Sequence, residues 1–102
     1  MYAVIRRYEG IDKGRTDEIR RSINDEFVPT IRDMSGYHGY WVVEADDTIA
    51  TFGLFETQRD AEDSTQMARE FISDHNLQDA LPNPPQVTAG EIIVAGPVHA
   101  LA

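Results

Sequence analysis

The segment Gly36–Thr57, GYHGYWVVEADDTIATFGLFET, decides how this chain folds. It reads as two strands, YHGYWVVEA and TIATFGLFE, joined at Asp46-Asp47 in a short hairpin. Neighbouring residues on a strand point to opposite faces of the sheet. Regular alternation therefore groups Tyr37, Gly39, Trp41 and Val43 on one face, with His38 and Tyr40 on the other. Large rings then stand on both faces. A small domain covers one face of such a sheet with its own helices, so the second face calls for another covering layer. A ligand pocket would supply one, and a second copy of the chain would supply another.

Reading outward to the N-terminus, YAVIRRY (Tyr2 to Tyr8) has strand composition and runs into a turn at Glu9-Gly10. Its alternation sets Tyr2, Val4, Arg6 and Tyr8 against Ala3, Ile5 and Arg7. The period then changes. Ile19, Ile23, Phe27 and Ile31 recur every four residues with Val28 beside them, which predicts an amphipathic helix. Thr16 is the expected N-cap, and Asp17 and Glu18 complement the positive end of the helix dipole. Pro29 lacks a donor inside this pattern, and because Ile31 and Met34 continue the stripe the expectation is a kink. Ser35-Gly36 closes the helix.

Beyond the hairpin, Thr57 with Asp60 three residues on predicts the start of a second helix over about 58–74. Its buried stripe is Ala61, Thr65, Ala68, Phe71 and Ile72. NLQDALPNPPQ is a proline-broken connection, and VTAGEIIVAG is a last strand ending before Pro97. The order βαββαβ predicts an α+β, ferredoxin-like fold: an antiparallel four-stranded sheet with two helices on one face. One domain over residues 1–97 is expected, followed by a loose tail at 98–102.

Composition narrows the function classes. Apolar residues make up 41% of the 102 and charged residues 26%, as in an ordinary globular chain. The absence of cysteine removes disulfides, thiolate nucleophiles and thiolate metal ligands. The net charge is −9. It is uneven: residues 1–32 carry seven Lys/Arg against six Asp/Glu, whereas residues 33–102 carry two arginines against twelve acids. Such a surface repels phosphate backbones and anionic lipid, so neither nucleic acid nor a membrane is expected as a partner. With no leader-like segment, a cytoplasmic location is the default expectation.

VIRRYEG, FVPTIRDMSGYHGYWVVE and LFETQRDAEDSTQMAREFI together resemble the antibiotic biosynthesis monooxygenase-like proteins of the dimeric α+β barrel superfamily. The resemblance spans roughly residues 2–95. It implies a homodimer in which two sheets pair face to face into a barrel with the helices outside. It also implies a protein that works without a cofactor on a small aromatic or quinone-like molecule, held between helices and sheet. Such enzymes stabilise a substrate carbanion or enolate that reacts with oxygen directly. A haem-degrading relative would use an asparagine on the first strand and helix-borne tryptophan and histidine. This chain has Arg6 and Arg7 there, and its single tryptophan is in a strand.

The candidate site follows. Arg6 would hold a substrate oxyanion, and His38 would move a proton, since its side chain titrates nearest neutrality. Tyr8 and Tyr40 would line the walls and donate hydrogen bonds. Trp41 and Tyr37 are assigned to the dimer interface. Gly39 and Gly53, both mid-strand, mark bulges or a close approach. His75 is read as a cap at the end of the second helix, and His99 lies in the tail. Their spacing with His38 fits no metal site. The rival reading is a non-catalytic dimeric barrel that binds a small ligand or serves as an accessory protein.

Overall fold

A computed structural model describes residues 1–96; the predicted tail and His99 lie outside the described residues. The elements follow the order βαββαβ, with the first helical run in four pieces. They are β1 (Tyr2–Glu9), a 3₁₀ turn (Lys13–Arg15), α1 (Thr16–Ser22), a π-helical turn (Ile23–Phe27) and α2 (Val28–Arg32). Then come β2 (Tyr37–Ala45), β3 (Thr48–Phe55), α3 (Gln58–Asp74) and β4 (Gln86–Glu91). All pairings are antiparallel, and the sheet order is β2-β3-β1-β4, the ferredoxin-like arrangement. No described helix is long and apolar enough to cross a membrane.

The core lies between the helices and one face of the sheet. Val4, Tyr8, Ile49 and Phe55 from the strands are buried against Ile19, Phe27, Ile31, Ala61 and Ala68 from the helices. The other face is open, with Ile5, Val43 and Phe52 exposed.

The π turn answers the four-residue spacing of the apolar stripe. In a regular α-helix each four-residue step overshoots a full turn by about 40°, so Ile19 and Ile31 would face different directions. One wider turn takes up that drift, and Ile19, Phe27 and Ile31 are all buried. The same turn ends just before Pro29, whose missing N–H would have left a gap in an α-helical ladder. The expected kink is thus a change of helix type. Thr16 is not the cap. The side chain of Asp12 accepts from the Gly14 N–H at 3.0 Å and starts a 3₁₀ turn that leads into α1.

At α3 the cap is as predicted, the Thr57 hydroxyl accepting from the Asp60 N–H at 3.1 Å. His75 is the C-cap residue of α3; its ring rests on Phe71 and its Nε2 meets Glu26 of the π turn. Gly36 closes α2 with φ of 85°, where a Cβ would also collide with the Asp60 carboxylate. The hairpin turns at Asp46, with φ of 54°, as expected between the two strands.

Two strand readings need correction. β4 stops at Glu91, and Ile93 and Val94 of the expected longer strand are exposed beyond it. In β2 a bulge falls between Tyr37 and Gly39, and it breaks the regular alternation. Tyr37 opposite Phe55 faces the helices, while Trp41 opposite Phe52 faces outward. The two residues assigned to the interface therefore stand on opposite sides of the sheet.

Candidate functional site

Arg6 is the centre of the candidate site. Uninterrupted alternation along β1 turns it under the helices between Val4 and Tyr8, where only 1% of it reaches solvent. Its Nη1 donates to Thr65 Oγ1 at 3.0 Å and to Ser64 Oγ at 3.4 Å, and its Nη2 donates to the Tyr40 hydroxyl at 3.2 Å. Ser64 and Thr65 give their own protons to the Ala61 carbonyl at 2.7 and 3.4 Å, so their oxygens are turned to accept from arginine. Tyr40 is held by its ring, 5.5 Å from that of Phe27.

No carboxylate pairs with Arg6 among the described residues. A guanidinium cannot shed its proton in a protein, so a full charge is buried among neutral hydroxyls. Arg6 Nε and the Thr51 hydroxyl, both buried, have no hydrogen-bond partner among the described residues. Tyr8 is buried beside them, in a cluster with Ile11, Ile19, Ile49 and Leu77. Burial pushes its phenol above the ordinary range, outweighing the opposite pull of the Arg6 charge.

Two cavities flank this centre. One, of about 340 Å³, lies between the first helical run and β2, with Ile19, Ile23, Val28, Tyr40 and Trp41 in its walls. The other, of about 350 Å³, lies between α3 and the β1–β4 pair, with Thr65, Arg69 and Val87 in its walls. Arg6 bonds to Tyr40 at the first and Thr65 at the second.

The structure thus brings Arg6, Tyr8 and Tyr40 together and leaves His38 outside. His38 is the extra residue of the bulge; its Nε2 lies 3.8 Å from Glu56 Oε2, beyond the end of β3, and its side chain is 42% exposed. No hydrogen bond joins it to Arg6, Tyr8 or Tyr40 among the described residues. Trp41 lies on the outward face with its ring 5.8 Å from Phe52, and Tyr37 packs edge-on to Phe55 at 6.3 Å. Among the described residues, no group of three or more His, Asp or Glu is placed to hold a metal ion. Ser64, which accepts from Arg6, and Thr51, its partner in register, are not singled out by the sequence reading. A hydroxyl in an otherwise apolar stripe is the only signal they give in the sequence.

No protein-family model matches the chain, and no curated protein is similar to it in sequence. Solved structures are similar in fold. The NE2512 protein of unknown function from Nitrosomonas europaea superposes with a TM-score of 0.75 at 17% identity, over 95% of this chain and 93% of that one. A candidate antibiotic biosynthesis monooxygenase from Bordetella bronchiseptica gives 0.72 at 17% identity, over 91% and 97%. The ActVA-Orf6 monooxygenase of Streptomyces coelicolor, solved with nanaomycin D, gives 0.68 at 12% identity, over 92% of each chain. The chain has the ferredoxin-like α+β fold of the antibiotic biosynthesis monooxygenase-like proteins.

Proposed function

We propose that this is a monooxygenase-like protein that takes a small aromatic or quinone-like molecule into the cleft between the first helical run and β2, without a cofactor. One observation carries the reading: Tyr40, whose hydroxyl accepts from the buried Arg6 at 3.2 Å, lines a cleft whose walls combine Ile19, Ile23, Val28 and Trp41 with Arg20, Asn24 and Glu44. Apolar walls interrupted by polar groups, in a cavity of this size, suit a flat ligand with a polar oxygen. Arg6 would stabilise negative charge developing on that oxygen, which makes the ring carbon electron-rich enough to react with dioxygen. One oxygen atom would enter the substrate and the other would leave as water, with the electrons drawn from the substrate itself. The neighbouring fold of ActVA-Orf6, a monooxygenase solved with nanaomycin D, supports the same ligand class.

The position of His38 favours a second reading, a binding or accessory protein of the same shape. Without it, Arg6, Tyr8 and Tyr40 include no side chain whose ordinary titration lies near neutrality. Oxygen uptake with a panel of hydroxylated aromatics, run beside calorimetric titration of the same compounds, separates the two. Turnover supports the monooxygenase reading, whereas binding without oxygen uptake supports the accessory one.

The same proposal includes a homodimer paired through the open face. Trp41, Phe52 and Ile5 line up across that face in register, with Val43 and Leu54 beside them. Phe52, Ile5 and Val43 are exposed to 36%, 38% and 59%. A second sheet laid on them would remove this apolar patch from water.

A further inference from the structure

Both ring nitrogens of His75 meet acceptors. Nδ1 lies 3.1 Å from the Phe71 carbonyl oxygen, and Nε2 lies 2.5 Å from Glu26 Oε2. A carbonyl oxygen has no proton to give, so Nδ1 must carry one. In a neutral ring that leaves Nε2 a bare lone pair, held against a carboxylate that also only accepts. The contact therefore needs one further proton between nitrogen and oxygen. Whichever atom holds it, a neutral imidazole and a free carboxylate together are one proton short. The ring itself is held in place, stacked on Phe71 at 4.2 Å where α3 ends. Among the described residues, Glu26 is the charged group that meets it. Asp74 precedes it on α3, and Arg15 of the 3₁₀ turn, paired to Glu18 at 2.7 Å, reaches the Asn76 carbonyl beside it. Ile19 of α1, with Ile23 and Phe27 of the π turn, offers this end of α3 only apolar groups.

We propose that His75 and Glu26 form a proton-operated latch that ties the π turn to α3 and so holds one wall of the cleft in shape. This rests on the small-molecule reading of the cleft and adds its regulation by pH. Ile23 and Asn24 of the same turn stand in the cleft wall. Phe27, at its end, packs on Phe71 at 5.1 Å and on Tyr40 at 5.5 Å. A row of rings thus runs from the latch to the cleft: His75, Phe71, Phe27, Tyr40. A π turn has poorer geometry than an α-helix, and Ser22 at its start makes no side-chain cap bond. An exposed ion pair adds little to global stability, so the effect of this one falls on the turn it ties. With the proton in place, the wall is formed before a ligand arrives. As pH rises the proton leaves, two lone pairs face each other, and the tie opens. The ligand must then order the turn itself, which weakens its apparent affinity. By linkage, binding takes up part of a proton where the latch is open.

The test uses the full chain and 2-methyl-1,4-naphthoquinone, a probe with no titrating group, read by quenching of Trp41 in the cleft wall. Binding is expected to be about fivefold tighter at about pH 5.5 than at about pH 8.5, values that bracket ordinary imidazole titration. His75→Ala should bind at both as weakly as the parent does at the higher pH. Glu26→Gln should bind tightly at both, because its amide N–H donates to the neutral Nε2 and stands in for the missing proton. That rescue separates a proton-operated tie from a merely structural contact. Nuclear magnetic resonance of the ligand-free protein gives a second reading. The Ile23 amide signal should follow the His75 ring through its titration in the parent and stay still in Glu26→Gln. Equal affinity at both pH values with Ile23 indifferent to the ring overturns the latch, and so does a pH preference that survives in His75→Ala. A probe that does not bind, with Ile23 still following the ring, removes the small-molecule reading and supports the latch.

Discussion

Tyr40 of β2 accepts a hydrogen bond from Arg6 of β1 across the full width of the intervening strand β3, at 3.2 Å. Gly53 is the β3 residue that allows it. Paired with Val4 on one side and Tyr40 on the other, it sits beneath the tyrosine ring. A Cβ placed there would lie 3.3 Å from Tyr40 Cδ1 and 2.7 Å from Phe55 Cε2. The close approach expected of a mid-strand glycine is therefore made by two rings of this chain.

Gly53→Ala should accordingly be destabilising although alanine suits a strand better than glycine does. Phe55 is fully buried and cannot swing aside, so the added methyl overpacks the core. A loss of about 1–3 kcal/mol is expected from overpacking of this kind, read as a lower urea midpoint with an unchanged slope. Equal or greater stability would mean that Tyr40 and Phe55 do not crowd this position.

The position of His38 makes a contrary prediction about the site. On the bulge, beside Glu56, it is half-exposed and separate from the arginine centre. His38→Ala should change stability by less than about 0.5 kcal/mol, as is usual for surface positions. It should also leave ligand affinity, and any oxygen uptake, within twofold of the parent. A tenfold loss of turnover with the fold intact would restore His38 to the mechanism.

What could be read from the sequence, and what could not, divides along a physical line. The switch from two-residue to near-four-residue periodicity, the Thr57 cap and the Asp46-Asp47 turn are local signals, and they led to the right fold. The face of Arg6 and Tyr8 was legible because β1 is unbroken. The bulge at His38 was not, because an extra residue shows itself only against the partner strand. It reversed Tyr37 and took His38 out of the cleft. Thr51 and Ser64 stayed hidden for a related reason: their importance comes from register with Arg6 and from the turn of α3 above it. Neither is visible along the chain.

Tyr8 sets an upper pH limit. Its phenol titrates higher in the folded protein than in the unfolded chain, chiefly through burial. The stabilising effect of keeping it neutral is fully present below about pH 10, the unfolded value, and is lost as pH rises through the folded one. Urea melts from pH 8 to 11 should show stability falling above about pH 10, where the unfolded chain loses this proton first. Tyr8→Phe should flatten that fall, because the variant has no phenol to ionise there. An identical alkaline slope in both proteins would place the responsible group elsewhere.

The last prediction concerns the open face. Trp41, Phe52 and Ile5 form one cross-strand row there, and the indole and Phe52 rings are 5.8 Å apart. If a second copy covers this row, native mass spectrometry at micromolar concentration should give about twice the 11.5 kDa chain mass. Trp41→Glu would then bury a carboxylate without a partner between two apolar sheets. The paired state should fall to monomer, or unfold where the monomer cannot stand alone. Val43→Glu is the companion variant: Val43 lies two residues along the same face and is 59% exposed within one chain. Its effect on the fold of a single copy should be small, so it reports on pairing itself. A parent protein that runs as a monomer, or a Val43→Glu protein that stays fully dimeric, would mean that this face is not where the copies meet.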